Sequence, residues 1–170
     1  MDITQLILDD HAEQRRLFAM LEEIDRSDTA SLDAVWRRLA AFLDVHAEAE
    51  ERHFYPALLH LGTGAGDKDD AAEETDDAIH DHNEIRDAVA AVSRHEVGSD
   101  AWFAAVDTAN EVNSTHMAEE EREGLTDFRR NAPLHTRHDL AVAFTAFATA
   151  HVTGVEPVDK DPRKYIAEHT

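Results

Sequence analysis

The sequence predicts an all-α fold, and three observations support this prediction. Only six glycines and four prolines occur in 170 residues, and three of those glycines cluster within residues 62–66, so long segments are uninterrupted. Apolar residues in these segments recur every three or four positions, as on one face of a helix. No stretch shows the two-residue alternation of β-branched side chains that is typical of strands. Four long helices joined by short connections predict an up-down antiparallel four-helix bundle, with an additional C-terminal helix and a tail.

Composition limits both the organisation of the chain and its partners. A length of 170 residues favours one domain, which we place at residues 1–153, followed by a tail at 154–170. The absence of cysteine excludes disulfides and thiolate chemistry. With 16 basic and 37 acidic residues, the net charge of −21 repels phosphate backbones and anionic lipids, so we expect neither nucleic acid nor membrane as a partner. The N-terminus lacks the pattern of a signal peptide, which predicts a cytoplasmic protein.

The first helix is predicted over residues 3–24, with Asp2 or Thr4 as its cap. Its apolar stripe has a gap, and His11 and Gln14 lie in that gap. His11 therefore faces the interior. A lone inward histidine can be a metal ligand or a core residue that is satisfied by a hydrogen bond, and this helix alone does not distinguish the two.

The second helix is predicted over residues 31–61, with Ser31 as its cap and the glycine cluster at its end. Its apolar stripe leads from Leu43 directly into His46 and Glu50 without a change of face. A carboxylate on a buried face is costly unless it is paired or bound to a metal. This placement favours a functional role for Glu50.

The third helix, predicted over residues 73–96, contains two histidines that could be the inward-facing ligand, His80 and His82. His82 lies within the apolar stripe, whereas His80 shares a face with acidic residues. Periodicity therefore selects His82, and we expect His80 to be a surface residue or a group behind the ligands.

The fourth helix begins near Ser99, and its stripe leads into His116 and Glu120. A fifth helix, predicted over residues 134–152, packs against the bundle, and an extended tail then wraps it through Tyr165 and Ile166. Three further histidines have no carboxylate in register, so we interpret them as structural or exposed: His135, His138 and His151.

An internal repeat connects these helices. The motif His46-x-x-x-Glu50 returns seventy positions later as His116-x-x-x-Glu120, and residues four apart lie on the same face of a helix. The flanks also repeat: Glu50-Glu51-Arg52 returns as Glu120-Glu121-Arg122, and Asp10-His11-x-Glu13-x-Arg15 returns as Asp81-His82-x-Glu84-x-Arg86. Two copies of a helix pair would thus supply four imidazoles and two carboxylates to the bundle core.

These six residues form a predicted metal site within residues 3–130: His11, His46, Glu50, His82, His116 and Glu120. Imidazole and carboxylate without sulfur suit iron or manganese better than structural zinc, which prefers four ligands. Six ligands are about right for two metals bridged by carboxylates. A ferritin-like site would need Glu-x-x-His on two helices, and only Glu50 and His53 have that spacing here.

In the order and spacing of these residues, the chain resembles the hemerythrin-like proteins of the HHE cation-binding family. The resemblance covers about residues 3–130 and includes Glu50-Glu51 and Tyr55-Pro56. It implies a four-helix bundle with a non-haem centre of two iron ions, bridged by an oxo or hydroxo group, with the six residues as ligands. The additional C-terminal sequence is similar to that of actinobacterial or mycobacterial hemerythrin-like proteins, which are associated with peroxide and nitric oxide chemistry.

The chain departs from the oxygen-carrying hemerythrins at two ligand positions. Those proteins have a second histidine four residues after the first on the third helix, where this chain has Arg86, and a longer-spaced aspartate where it has Glu120. Reversible oxygen carriage is therefore disfavoured. His53 could substitute as a ligand or handle protons. Tyr55 could also do so, but only if the helix is distorted near Pro56.

Three functional hypotheses follow. The leading one is a catalase-like or peroxidase-like oxidoreductase, in which peroxide reacts at the iron pair while a nearby His or Glu moves protons. The alternative is an oxygen or nitric oxide binding protein for sensing or storage, although no output domain is attached. The third is a helical interaction protein that takes up metal adventitiously.

Overall fold

The computed structural model describes residues 1–170 and contains eight helices. In chain order these are α1 (Ile3–Glu23), α2 (Thr29–His53), α3 (Tyr55–Leu61), α4 (Ala71–Val92), α5 (Asp100–Arg122), α6 (Gly124–Asn131), α7 (Leu134–Ala150) and α8 (Pro162–His169). None of them combines the length and the apolar character that crossing a membrane requires.

The four long helices form the bundle. Helix α1 packs against α2 and α5, and α4 packs against α5 and α2, while α7 covers α1 and α2 and α8 covers α4. This arrangement confirms the predicted all-α bundle with an additional C-terminal helix. The cap of α1 is Asp2, whose side chain accepts the Thr4 N–H. The cap of α2 is Asp28, which accepts the Ser31 N–H, so Ser31 lies inside the helix and the predicted cap there was wrong.

Two of the predicted helices are interrupted near their C-terminal ends. The expected helix over residues 31–61 is divided at Phe54 into α2 and α3, and a second division at Glu123 separates α5 from α6. At the first division Pro56 has no N–H to donate to the carbonyl of Arg52, so the regular ladder of hydrogen bonds is broken. The break changes the direction of Tyr55 relative to a continuous helix.

The sequence had predicted an extended C-terminal tail, but part of the tail is helical. Asp161 caps α8 by accepting the Lys164 N–H, and Pro162 occupies the first turn, where a missing N–H costs nothing. Tyr165 is buried and anchors this helix to the bundle. The tail thus contacts the bundle through a short helix.

The apolar core consists of two clusters separated by a polar layer. One cluster contains Phe54, at the break between α2 and α3, and residues of every helix except α5, among them Ile7 and Phe128. The other contains residues toward the opposite end of the four long helices, among them Leu17, Trp36 and Trp102. The predicted ligands lie between the two clusters along each helix, so apolar side chains close the site from both ends.

Trp102 is buried and packs edge-on against Trp36, with 6.2 Å between the ring centroids. Its assignment to the core can be tested by substitution. Truncating a buried tryptophan leaves a cavity, so Trp102→Ala is expected to lower the free energy of unfolding by about 3–5 kcal/mol. Urea unfolding followed by circular dichroism would measure this. The control is Val142→Ala on the exposed face of α7, with a change of about 0.5 kcal/mol or less. Equal effects of the two variants would contradict the assignment of Trp102 to the core.

Candidate metal centre

All six predicted ligands are buried in the polar layer, and the structure brings them together from four helices. His11 comes from α1, His46 and Glu50 from α2, His82 from α4, and His116 and Glu120 from α5. Their donor atoms form two groups that could each hold a metal ion. The first group is His11, His46 and Glu50, and the second is Glu50, His82 and His116.

Glu50 belongs to both groups because its two oxygens point in different directions. Its Oε1 lies 2.9 Å from His46 Nε2, and its Oε2 lies 3.3 Å from His82 Nε2. A carboxylate in this position can bridge two cations. Glu120 lies on the other side, with Oε2 at 3.3 Å from His11 Nε2.

Five donor atoms at the centre lack hydrogen-bond partners. His11 Nε2, His46 Nε2, both carboxylate oxygens of Glu50 and Glu120 Oε2 are buried without a hydrogen bond of acceptable geometry. Buried polar atoms are normally satisfied, and leaving one unsatisfied costs about 1–3 kcal/mol. Five such atoms that face each other across a few ångströms are explained if cations occupy the space between them. The residues present therefore fit a pair of metal ions.

Each of the four imidazoles uses its other ring nitrogen, Nδ1, to contact a carboxylate outside the centre. The partners and distances are Glu121 for His11 at 3.0 Å, Asp10 for His46 at 3.1 Å, Glu51 for His82 at 2.8 Å and Asp81 for His116 at 3.3 Å. A carboxylate at Nδ1 holds the proton there and leaves Nε2 free as a ligand, which is typical of histidines that bind metals.

These outer carboxylates follow the sequence repeat. Asp10 and Asp81 each bind a histidine of their own helix pair, whereas Glu51 and Glu121 each bind a histidine of the other pair. The repeated flanks of the sequence contain these four acidic residues, but their spacing alone did not predict a role for them. Pairing across the two copies depends on how the copies dock, which spacing within one helix does not reveal.

The repeated arginines support the outer carboxylates. Arg15 donates to Glu121 at 2.8 Å, and Arg86 donates to Glu51 at 2.7 Å. Arg86, which occupies the position where oxygen-carrying hemerythrins have a histidine, therefore contacts a carboxylate behind the centre and does not enter it.

Tyr55 breaks the symmetry of the centre. Its hydroxyl donates to Glu120 Oε1 at 2.6 Å, and the corresponding position of the second copy, seventy residues on, is Leu125. The break in the helix before Pro56 provides the distortion that Tyr55 needs in order to point inward. A hydrogen-bond donor thus touches one side of the centre and has no counterpart on the other.

Five other histidines that the sequence singled out lie elsewhere. His53 is half-buried with its ring 6.1 Å from that of Phe147, and His80 is exposed beside Glu84. His138 contacts the Met1 carbonyl, His151 contacts the Phe147 carbonyl, and His135 is exposed. The structure brings none of these side chains into the two groups.

The centre is a set of buried, oppositely charged groups when no metal is bound. Burial alone would lower the pKa of His82, but the nearby carboxylates of Glu50 and Glu51 outweigh this and raise it to about 9. Burial would raise the pKa of Glu50, yet His46 and His82 hold it well below its usual range. The pKa of Glu51 is about 2, because His82, Arg86 and Lys160 outweigh the effect of burial. Metal ions would replace the imidazole protons, so binding releases protons.

A small cavity touches the centre. It is lined by Tyr55, His116 and Glu120 on one side and by Leu58, Ala78 and Gly124 on another, and its volume is about 20 Å³. That volume admits about one water-sized molecule. The geometry therefore restricts access to very small molecules.

Glu74 is buried, also lines this cavity and gives a pH prediction. Burial and the neighbouring Asp127 raise its pKa to about 7, from an ordinary value of 4.5. A carboxyl whose pKa is higher in the folded state stabilises the fold least above that pKa, so this contribution is lost as the pH rises from about 4.5 through 7. Glu74→Gln keeps an acceptor for the Ala65 N–H and carries no charge. Urea unfolding at pH 8 is expected to show the variant more stable than the wild type by about 1–2 kcal/mol. This difference should disappear at pH 5, and a constant difference would contradict the assignment.

The shared position of Glu50 gives a prediction about metal content. Because Glu50 contributes to both groups, Glu50→Gln is expected to reduce bound metal from about two ions per chain to less than one. Metal analysis after loading and dialysis would measure this. Glu111→Gln, on an exposed position of α5, is the control and should keep the wild-type content. A Glu50→Gln variant that retains both ions would remove Glu50 from the centre.

The comparisons with known proteins agree with this description. Residues 2–126 match the family model described as the hemerythrin HHE cation binding domain. Searches of the curated proteins and of the solved structures gave no significant match. The matched segment covers well over half of the chain and contains all six buried donor residues. The chain therefore belongs to the hemerythrin HHE cation-binding family.

Proposed function

We propose that this chain is a non-haem di-iron protein that decomposes hydrogen peroxide. One iron would be held by His11, His46 and Glu50, and the other by Glu50, His82 and His116. Glu120 would complete the set beside His11. The buried donor atoms without hydrogen bonds are the observation that carries the metal assignment.

The donor set favours iron. Four imidazoles and two carboxylates, with no sulfur, suit a redox-active first-row metal in sites with open positions. Bound iron would supply the redox equivalents and an open coordination position for a small molecule. Membership in a family whose domains bind cations, typically iron, supports the same choice.

The access route favours a small, uncharged substrate. The cavity beside Tyr55, His116 and Glu120 holds about one water-sized molecule, and it is also lined by carboxylates such as Glu74 and Asp77. The net charge of −21 also disfavours anions. Hydrogen peroxide, dioxygen and nitric oxide are all small and uncharged enough to enter.

Tyr55 favours turnover of peroxide over simple binding. Peroxide decomposition reduces one molecule to two waters, using two electrons and two protons, and oxidises a second molecule to dioxygen, which returns them. A group beside the centre must hold a proton between these half-reactions. The Tyr55 hydroxyl and Glu120 Oε1, joined by a hydrogen bond of 2.6 Å at the wall of the cavity, can share and deliver a proton there.

The alternative function is binding of dioxygen or nitric oxide without turnover. The same cavity admits a diatomic molecule, and the Tyr55 hydroxyl could stabilise it as a hydrogen-bond donor. Apolar clusters on both sides of the polar layer exclude bulk water, which also suits a binding protein. The two functions differ in whether peroxide is consumed.

Oxygen evolution from peroxide by the iron-loaded protein tests the proposal. We expect turnover in the wild type and, because a proton relay is removed, a rate lower by on the order of 100-fold in Tyr55→Phe at unchanged iron content. His80→Gln, an exposed substitution, should retain the wild-type rate. An oxygen electrode and iron analysis of the same samples give both quantities.

Two results would contradict the proposal. Reversible spectral changes with dioxygen or nitric oxide, without oxygen evolution from peroxide, would establish the binding function instead. Less than about one bound iron per chain would remove the di-iron centre itself.

A further inference from the structure

The C-terminal segment reaches the metal centre through Lys160, which lies outside the residues matched by the hemerythrin family model. The Lys160 ammonium group donates to Glu48 Oε2 at 2.8 Å and also contacts Glu51 Oε2. Glu51 is the carboxylate that contacts His82 Nδ1. A chain of direct contacts therefore joins the tail to one imidazole of the centre.

The structure fixes the position of Lys160 by several contacts. Its N–H donates to Asn83 Oδ1 at 3.0 Å, and its carbonyl accepts from Asn83 Nδ2 at 2.8 Å, so α4 holds the backbone on both sides of the residue. Farther along, the buried hydroxyl of Tyr165 donates to the carbonyl of Glu51. These contacts fix the backbone of Lys160, so its side chain starts from a defined position close to Glu48 and Glu51.

The two outer glutamates differ because of this segment. The side chain of Glu51 is fully buried and has two cationic partners, Arg86 and Lys160. Its counterpart in the second copy, Glu121, has only Arg15 as a cationic partner besides His11, and 29% of its side chain is exposed. The sequence repeat alone would give the two outer glutamates equivalent surroundings, and the contact of the tail with Glu51 makes these surroundings different.

We propose that Lys160 is a positioning residue for the metal ion held by His82 and His116, and that the C-terminal segment thereby adds a second difference between the two metal ions to the one that Tyr55 introduces. This inference rests on the proposed two-metal centre. A second cation on Glu51 draws part of the carboxylate charge away from the Nδ1 proton of His82. His82 then donates to its metal as an ordinary neutral imidazole, whereas a stronger pull by Glu51 would give it more imidazolate character and make it a stronger donor.

The experiment uses the full chain loaded with Zn²⁺, which is diamagnetic and requires no redox chemistry. Each ligating imidazole then carries one proton, at Nδ1, whose NMR resonance moves downfield as its hydrogen bond to a carboxylate strengthens. In Lys160→Met, which keeps the unbranched side chain up to the position of Cε and removes its charge, the His82 resonance is expected to move downfield. The His11 resonance, which reports on Glu121, should not move, so each sample contains its own reference.

Two further variants separate charge from docking of the tail. Lys164→Met, on the same helix as Tyr165 but exposed and near only Glu168, should leave both resonances in place. Lys160→Arg keeps the positive charge and should leave His82 near its wild-type position. An unchanged His82 resonance in Lys160→Met, equal shifts of His11 and His82, or a Lys160→Arg variant that behaves like Lys160→Met would each overturn the proposal.

The iron-loaded protein gives a second readout. Mössbauer spectroscopy distinguishes two iron environments, and Lys160→Met is expected to shift one of the two doublets and to lower the reduction potential of that iron, because a stronger donor stabilises the ferric state. Lack of peroxide turnover would contradict the proposed enzyme and leave the zinc result standing. Zinc binding at about two ions per chain with an unmoved His82 resonance would contradict only the role of Lys160.

Discussion

The structure depends on a layer of charge buried between two apolar clusters. Four imidazoles and two carboxylates lie there almost without solvent contact, and several of their donor atoms have no hydrogen bond. Removing ionised groups from water costs several kcal/mol each unless opposite charges or metal ions compensate. The bundle can hold this layer because carboxylates around it contact the outer nitrogen of each imidazole, and cations at its centre would balance the charge of Glu50 and Glu120.

The outer carboxylates are as much a part of this balance as the ligands. Each imidazole lies between the centre and one carboxylate, and two of these carboxylates, Glu121 and Glu51, are supported in turn by Arg15 and Arg86. Two of these contacts cross from one copy of the repeat to the other. The two helix pairs are therefore joined through the centre by polar contacts as well as by apolar packing.

The features on which the proposed function depends lie where the repeat is broken. Tyr55 has a hydroxyl on one side of the centre, where the other copy has Leu125, and the C-terminal segment covers Glu51 and leaves Glu121 partly exposed. A symmetrical pair of metals would offer two equal positions to a small molecule. The cavity instead reaches the centre beside Tyr55 and His116, so access and the hydrogen-bond donor lie on the same side.

Periodicity in the sequence determined the all-α bundle and the inward direction of the six donor residues. The apolar face of a helix packs against the core, so a polar side chain on that face also points inward. His82 was distinguished from His80 on this basis alone, and the two differ in the structure as expected, one buried and one exposed. The pairing of Glu51 with His82 and the contact of Lys160 were decided only by the tertiary structure, whereas the break at Phe54 has a local cause in Pro56. Both contacts depend on how segments distant in sequence pack against each other, and the spacing of residues along a single helix does not specify that packing.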